Sequence, residues 1–353
     1  MHRTLWLGLV PLALACTSAS PDTGPLPPIV LAHPPADPGG PPPDPTSASD
    51  VSVFAIRTLY LGDTDPATGV TSAYAWKELG FDIDGKATTK LSTDVCQLAA
   101  GASNLSQQDG QGGIDNSFGF NILPLLITSF GSDFSQQANA SISAGLVTNL
   151  IAFHGLGAAT TASPLTASLV LGAPLGGAPT WSTTDVWPVD SSSLIDLDAG
   201  SPLLAFPQSY AVGGVLVAEP PSGNGEIALG VVGGIPFVLA IRHVVIAMTL
   251  SPDGMTATAG TISGILPTDR LLELAQALAG TLSTSLCSTS AFASLTQYIE
   301  QAEDILLDGT QDPSQPCTGI SIGLGFEAVR VQSGPVAVVP PFGGACAGLD
   351  AGP

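Results

Sequence analysis

Two short acidic segments carry the residues best suited to chemistry. Asp82 and Asp84 lie in Gly80-Phe-Asp-Ile-Asp-Gly85, and Asp109, Asp115 and Asn116 lie in Asp109-Gly-Gln-Gly-Gly-Ile-Asp-Asn116. Carboxylate and amide oxygens on glycine-rich loops suit Ca2+, which takes roughly six to eight oxygen ligands from a backbone able to fold round it. The spacing is not that of an EF-hand: counting from Asp82, the twelfth position is Thr93, where that loop places a bidentate Glu. Asp-Gly pairs are also ordinary turn formers. The expectation is therefore a calcium site assembled from two loops. Asp82 and Asp84 also meet the loose Asp-x-Asp of sugar transferases, but no nucleotide-binding loop accompanies them.

Other chemistry finds less support. Gly319-Ile-Ser321-Ile-Gly323 has the spacing of the serine-hydrolase elbow, which needs a strand, a sharp turn and a helix. Here Leu324-Gly-Phe-Glu-Ala-Val-Arg-Val reads as strand continuing through, and no His follows His243. His154 and His243 have no spaced partner for zinc. His243, inside an apolar run beside Arg242, reads as a satisfied structural histidine. Glycoside hydrolysis needs two carboxyls facing across a cleft, and among 29 acids no pair stands out.

The N-terminus bears on location. Arg3 precedes an apolar stretch, Leu5 to Ala15, too short for a membrane helix of about 20 residues. That pattern is a signal peptide over residues 1–15. Leu12-Ala-Leu-Ala-Cys16 resembles a lipobox, in which the peptide is cut before a Cys that receives lipid; the usual Leu three residues before the Cys is Ala13 here. Acyl chains on Cys16 would hold the protein at a membrane. Thr17, where Asp would favour the inner membrane, implies by the same resemblance an outer-membrane lipoprotein facing the periplasm or the cell surface. Residues 17 to 50 hold eleven prolines and no Lys or Arg, so 16–50 reads as a lipidated Cys and a disordered, extended tether.

Residues 51–353 read as one large β-rich domain. The chain has 8 Lys and Arg against 29 Asp and Glu, a formal charge of −21, and cleavage would remove Arg3 and no acid. Such a field repels nucleic acid and favours cations. Yet only 10% of residues are charged, against about 25% in an average domain, so the surface must be built from Ser, Thr, Gly, Gln and Asn. With Cys16 assigned to lipid, an even set remains: Cys96, Cys287, Cys317 and Cys346. In an exported chain these predict two disulfides. Of the three pairings, Cys287–Cys317 would close a helical excursion and Cys96–Cys346 would tie the domain to its C-terminus.

The elements that must position these residues are mostly strands. Val51–Leu61, Ala167–Leu171, Gly214–Ala218, Ile227–Val232, Phe237–Leu250, Ile320–Val331 and Val336–Val339 are rich in β-branched residues and separated by Gly, Pro, Ser and Asp. Gly145 to Phe153 reads as a further strand. A helical insertion spans about 267–308. Asp269 to Ala279 is capped by Thr268 or Asp269 and stopped by Gly280. Phe292, Leu295, Ile299, Ala302, Ile305 and Leu306 then form one helical face ended by Gly309. Glu300, Glu303 and Asp304 lie off that face and read as solvated. A short helix covers Phe120–Phe130. The fold expected is mainly β, sandwich-like and antiparallel, with α+β as the fallback.

Gly80-Phe-Asp-Ile-Asp-Gly85, Gly113-Ile-Asp-Asn-Ser-Phe-Gly119, Gly213-Gly-Val-Leu-Val-Ala218, Gly260-Thr-Ile-Ser-Gly-Ile-Leu-Pro267 and Cys317-Thr-Gly-Ile-Ser-Ile-Gly-Leu-Gly-Phe326 are similar to segments of a family of secreted lipoproteins of myxobacteria and related bacteria. The resemblance runs through most of residues 78 to 332. It implies an exported, disulfide-bearing, β-rich protein and carries no activity with it. The leading expectation is a non-catalytic binding or structural protein at the cell envelope, held to the membrane by its lipid, stabilised by Ca2+ and meeting an envelope or extracellular ligand. A secreted polysaccharide hydrolase would instead show carboxylates facing across a cleft. A lipid or hydrophobic-ligand carrier would show an apolar groove beneath the helical insertion.

Overall fold

The computed structural model describes residues 32–40, 50–157, 159–221, 223–282 and 290–340, with backbone alone at 279–282, 290 and 291. The expected signal peptide, Cys16, Cys287 and Cys346 lie outside the described residues. Among the described residues ten strands form in chain order: β1 Val51–Tyr60, β2 Thr148–His154, β3 Ala162–Gly172, β4 Val186–Asp190, β5 Leu204–Val212, β6 Val215–Ala218, β7 Gly225–Val232, β8 Ile235–Leu250, β9 Thr256–Pro267 and β10 Gly319–Ala337. The described α-helices are α1 Leu123–Phe130, α2 Phe134–Ser143, α3 Thr268–Leu282 and α4 Ser290–Glu300. The protein is mainly β, as its composition implies. No described helix is long and apolar enough to cross a membrane.

The strand pairs run in a ring. β10 pairs with β1, β1 with β2, β2 with β3 and β3 with β5. β5 pairs with β6, β6 with β8, β8 with β9 and β9 with β10. All these pairs are antiparallel, and the sheet curls until its inner faces pack as the layers of a sandwich do. β4 adds a parallel pairing to the end of β10, and β7 extends the first half of β8 as a hairpin.

Alternation along β10 shows why the sequence folds this way. Ile320, Ile322, Leu324 and Phe326 enter the main core with Phe54, Phe153, Phe206 and Ile246, at the period of two that a strand imposes. Between them stand Gly319, Ser321, Gly323 and Gly325, so the outward face is low. The segment from Leu79 lies directly on it: a Cβ at Gly323 would come within 2.1 Å of the Leu79 carbonyl. Another close approach seats α2, since a Cβ at Gly230 of β7 would meet Ala138 at 2.6 Å. The hydrolase-like spacing Gly319-Ile-Ser321-Ile-Gly323 thus serves strand packing, and the strand runs straight through it.

Several expectations are corrected. The described cystine is Cys96–Cys317, with Cα atoms 5.1 Å apart, in place of Cys96–Cys346 and Cys287–Cys317. Gln97 donates to the Gln315 carbonyl and Cys317 to that of Gln97, which brings the two cysteines side by side before β10 begins. α4 ends at Glu300 instead of running to Gly309, because Ile305 leaves the helix to bridge Gly319. α3 passes through Gly280. His243 is exposed at a bulge of β8, with φ 48°, and is not packed within an apolar strand. Residues 32–40, expected to float free, are bonded to the body: the Ala32 carbonyl accepts from Asp82 and the Pro35 carbonyl from the Tyr210 hydroxyl at 2.7 Å.

The cystine closes a sequence separation of 221 residues, and a loop of that length favours a large restriction of the unfolded chain. Cys317→Ser should lower stability by about 2 to 5 kcal/mol. Guanidinium unfolding of the variant beside the oxidised parent checks the magnitude, and a non-reduced peptide digest should join the Cys96 and Cys317 peptides.

Candidate metal centre and apolar chamber

The loop from Leu79 to Gly119 crosses the low face of β10, and this brings three acids together. Single carboxylate oxygens of Asp82, Asp84 and Asp115 lie within 4.8 Å of one another. Backbone amides hold each in place. Asp82 Oδ1 accepts from Gly85 and Lys86, Asp84 Oδ1 from Lys86, and Asp115 Oδ2 from Ile83 at 2.6 Å and Asp84 at 3.3 Å. The Lys86 ammonium turns away to Asp94. His33 reaches Asp82 at 3.5 Å from the segment lying over the loop.

Two further acids join from other directions. Asp109 is buried and accepts from the Thr88 amide, while the Thr88 hydroxyl is buried with no partner. Asp304, expected on a solvated helix face, is buried. It accepts from the Ser321 amide at 2.8 Å and the Ser321 hydroxyl at 2.5 Å. Gln311 ties the parts together: its amide donates to Asp84 Oδ2 and to the Asp304 carbonyl, and its oxygen accepts from Cys96 beside the cystine. Asp304, Gln311 and Ser321 carry no sequence signal for this role. Asp304 sits in an acidic run like any helix surface, and only the early end of α4 turns it inward.

Asn116 does something other than ligation. Its amide nitrogen lies within 3.1 Å of the Trp76, Leu79 and Gly323 carbonyls, and its oxygen accepts from the Gly119 and Gly323 amides. Both ends of the side chain are engaged with backbone. The structure therefore brings together three of the five expected ligand residues, sets Asp109 near enough to feel their charge, and makes Asn116 a fastener between loop and strand.

Burial raises the carboxyls. Desolvation, opposed by the Thr88 hydrogen bond and reinforced by Asp304, Asp84 and Asp82, pushes Asp109 up to about 8. Desolvation also brings Asp304 to about 7 against its Ser321 hydrogen bonds. Asp115 is raised well above the usual carboxylate range, and Asp84 is raised, each chiefly by burial. Near neutral pH these buried carboxyls therefore retain protons, because full ionisation would set several negative charges together in a poorly solvated site; a cation bound there would displace those protons and stabilise the ionised forms.

A second feature lies beneath the helical insertion. A chamber of about 240 Å3 is enclosed by Phe118 and Ile122 of the turn before α1, by α1 itself, by Phe237 and Leu239 of β8, and by α3 and α4. Leu271, Ala275 and Leu278 of α3 and Leu295 and Ile299 of α4 also wall it, and among the described residues Ser129 is the one polar residue lining it. Leu125, Leu126, Leu274 and Leu295 are half-buried, so the chamber reaches solvent along that rim.

Two measurements test the acidic cluster. A carboxyl whose folded pKa is raised contributes stability that is full below its unfolded value and is lost as pH rises through the folded value. Melts in EDTA should therefore fall by several degrees between pH 5 and pH 8.5, and Asp109→Asn should flatten the upper part of that fall. Below about pH 4 the sign reverses, as exposed groups such as Asp312, held at about 2 by Gln315 and Ser314, become protonated. Asn116→Asp keeps an oxygen ligand but sets a carboxylate against three carbonyls. It should cost at least about 3 kcal/mol in urea unfolding, whereas a ligand role would tolerate it.

No family model matches this chain, and neither a curated protein nor a solved structure matches it.

Proposed function

We propose that this chain is an exported, membrane-anchored binding protein without catalytic chemistry, whose acidic loops are ordered by one calcium ion. The carrying observation is the gathering of Asp82, Asp84 and Asp115, backed by Asp109 and Asp304, with the neighbouring Lys86 ammonium bonded to Asp94. The fit to calcium is geometric. Oxygens on opposite sides of a Ca2+ ion at 2.3–2.6 Å lie roughly 5 Å apart, and the three carboxylates fall within 4.8 Å. The unpartnered Thr88 hydroxyl offers a further oxygen beside Asp109. Mg2+ keeps several waters in a strict octahedron and fits a crowded, partly buried set less well. The cystine agrees with an oxidising compartment, and Cys16 supplies the lipid attachment.

The chamber favours an apolar ligand over a polysaccharide substrate. Among the described residues no carboxylate lines it, and sugar recognition needs polar groups that a wall of Leu, Ile and Phe does not offer.

Thermal melts of the full chain in EDTA and then in millimolar calcium test the metal. At a hundred times the dissociation constant the folded state gains about 2.7 kcal/mol. The shift should exceed that given by magnesium and vanish in the Asp82→Asn, Asp115→Asn double variant. An unchanged melt with calcium would sink this reading and leave the cluster as a set of protonated, structural carboxyls.

A further inference from the structure

We infer that the chamber beneath α3 and α4 takes one neutral amphiphile of about ten carbons, its alkyl chain inside and a hydroxyl head at Ser129. This rests on the reading of the protein as a carrier of apolar ligands, and adds the size, charge and polar chemistry of the ligand.

Volume sets the size. An apolar cavity of roughly 150 Å3 accepts benzene, and at the same filling 240 Å3 holds roughly ten carbons. The wall sets the polarity. Phe118, Ile122, Phe237, Ala275 and Ile299 are buried and line the deep part, so nothing there would satisfy a polar group carried inward. The half-buried rim sets the orientation, because a polar end can stay in water only there.

Charge and hydrogen bonding set the head. Among the described residues no Lys, Arg or His lines the chamber, and the chain carries a formal charge of −21. An alkyl carboxylate at the rim would have no cationic partner and would enter a repelling field. Ser129 Oγ donates to the Leu125 carbonyl at 2.8 Å, which leaves its lone pairs to accept. The complementary head is one that donates, an alcohol O–H, as in a fatty alcohol or the glycerol of a monoacylglycerol.

Calorimetry with the full chain carrying Cys16→Ser, so that no acyl group of its own competes, tests this. The probes are octan-1-ol, decan-1-ol, dodecan-1-ol and decanoate at pH 8. Affinity should rise about fourfold per methylene up to decan-1-ol and then level off, with decanoate at least tenfold weaker. Ala275→Phe fills the chamber and should abolish binding with the circular dichroism spectrum unchanged; Leu126→Trp at the rim serves if Ala275→Phe fails to fold. Ser129→Ala should weaken decan-1-ol about fivefold and leave binding of decane as it was. Equal binding of decanoate and decan-1-ol would overturn the neutral head alone. Alcohol binding that survives both filling variants would overturn the chamber as the site. Failure of every alcohol and of decane to bind the folded protein would overturn the carrier reading with it.

Discussion

The first residues of β10 present a strand edge that no strand covers. β1 pairs with β10 only from Gly325 onward, yet Gly319, Ser321 and Gly323 are buried and their polar backbone groups need partners. Side chains and a loop supply them: Ile305 bridges Gly319, Asp304 accepts from Ser321, and Asn116 pairs with both the amide and the carbonyl of Gly323. Leaving such groups unmade in a low-dielectric interior costs more than most single contacts return. Satisfying them draws one carboxylate into the core and fixes the loop that carries the others. The acidic cluster, the Gln311 bridge and the cystine beside it all follow from closing that edge.

The same loop leads into the chamber. Asp115 is a member of the cluster, Asn116 fastens to β10, and Phe118 and Ile122, a few residues on, form chamber wall. Ser117 donates to the Ala302 carbonyl just beyond α4. One continuous stretch of chain thus shares its position between a charged centre and an apolar one. Anything that changes repulsion among the carboxylates acts on the residues next to the chamber without any long-range relay.

The chain declares its strands wherever burial is one-sided or complete. β1, β7, β8 and β10 stand out through their β-branched residues, and the helix read over Phe120–Phe130 is found as a π-turn, Phe118–Ile122, followed by α1. β4, β5 and β9 were not, because Trp187-Pro, Phe206-Pro-Gln and Thr256-Ala-Thr-Ala-Gly-Thr interrupt the apolar pattern with proline, glycine and small polar residues that tertiary pairing overrides. Asp82, Asp84, Asp109 and Asp115 were legible as oxygen donors on glycine-rich loops. Asp304 was not, since its burial depends on where α4 stops. Asn116 carried the right chemistry for a ligand, and a nearby open edge took it for another purpose. Cysteine pairing was beyond reach for a different reason: spacing along the chain says nothing of the Gln97–Gln315 contact that sets the two sulfurs together.

Residues 32–40 give the molecule a mechanical property. The segment precedes the first strand, and it meets the body through the Ala32–Asp82 hydrogen bond, the His33–Asp82 contact and the Tyr210–Pro35 hydrogen bond. Tension applied from the N-terminus therefore loads the Asp82 loop before it loads β1. These few polar contacts peel one at a time, whereas β1 is sheared between β2 and β10 along its whole length. The strap is the weaker link in the series, so a pulled molecule lengthens there first and the ring of strands keeps its shape.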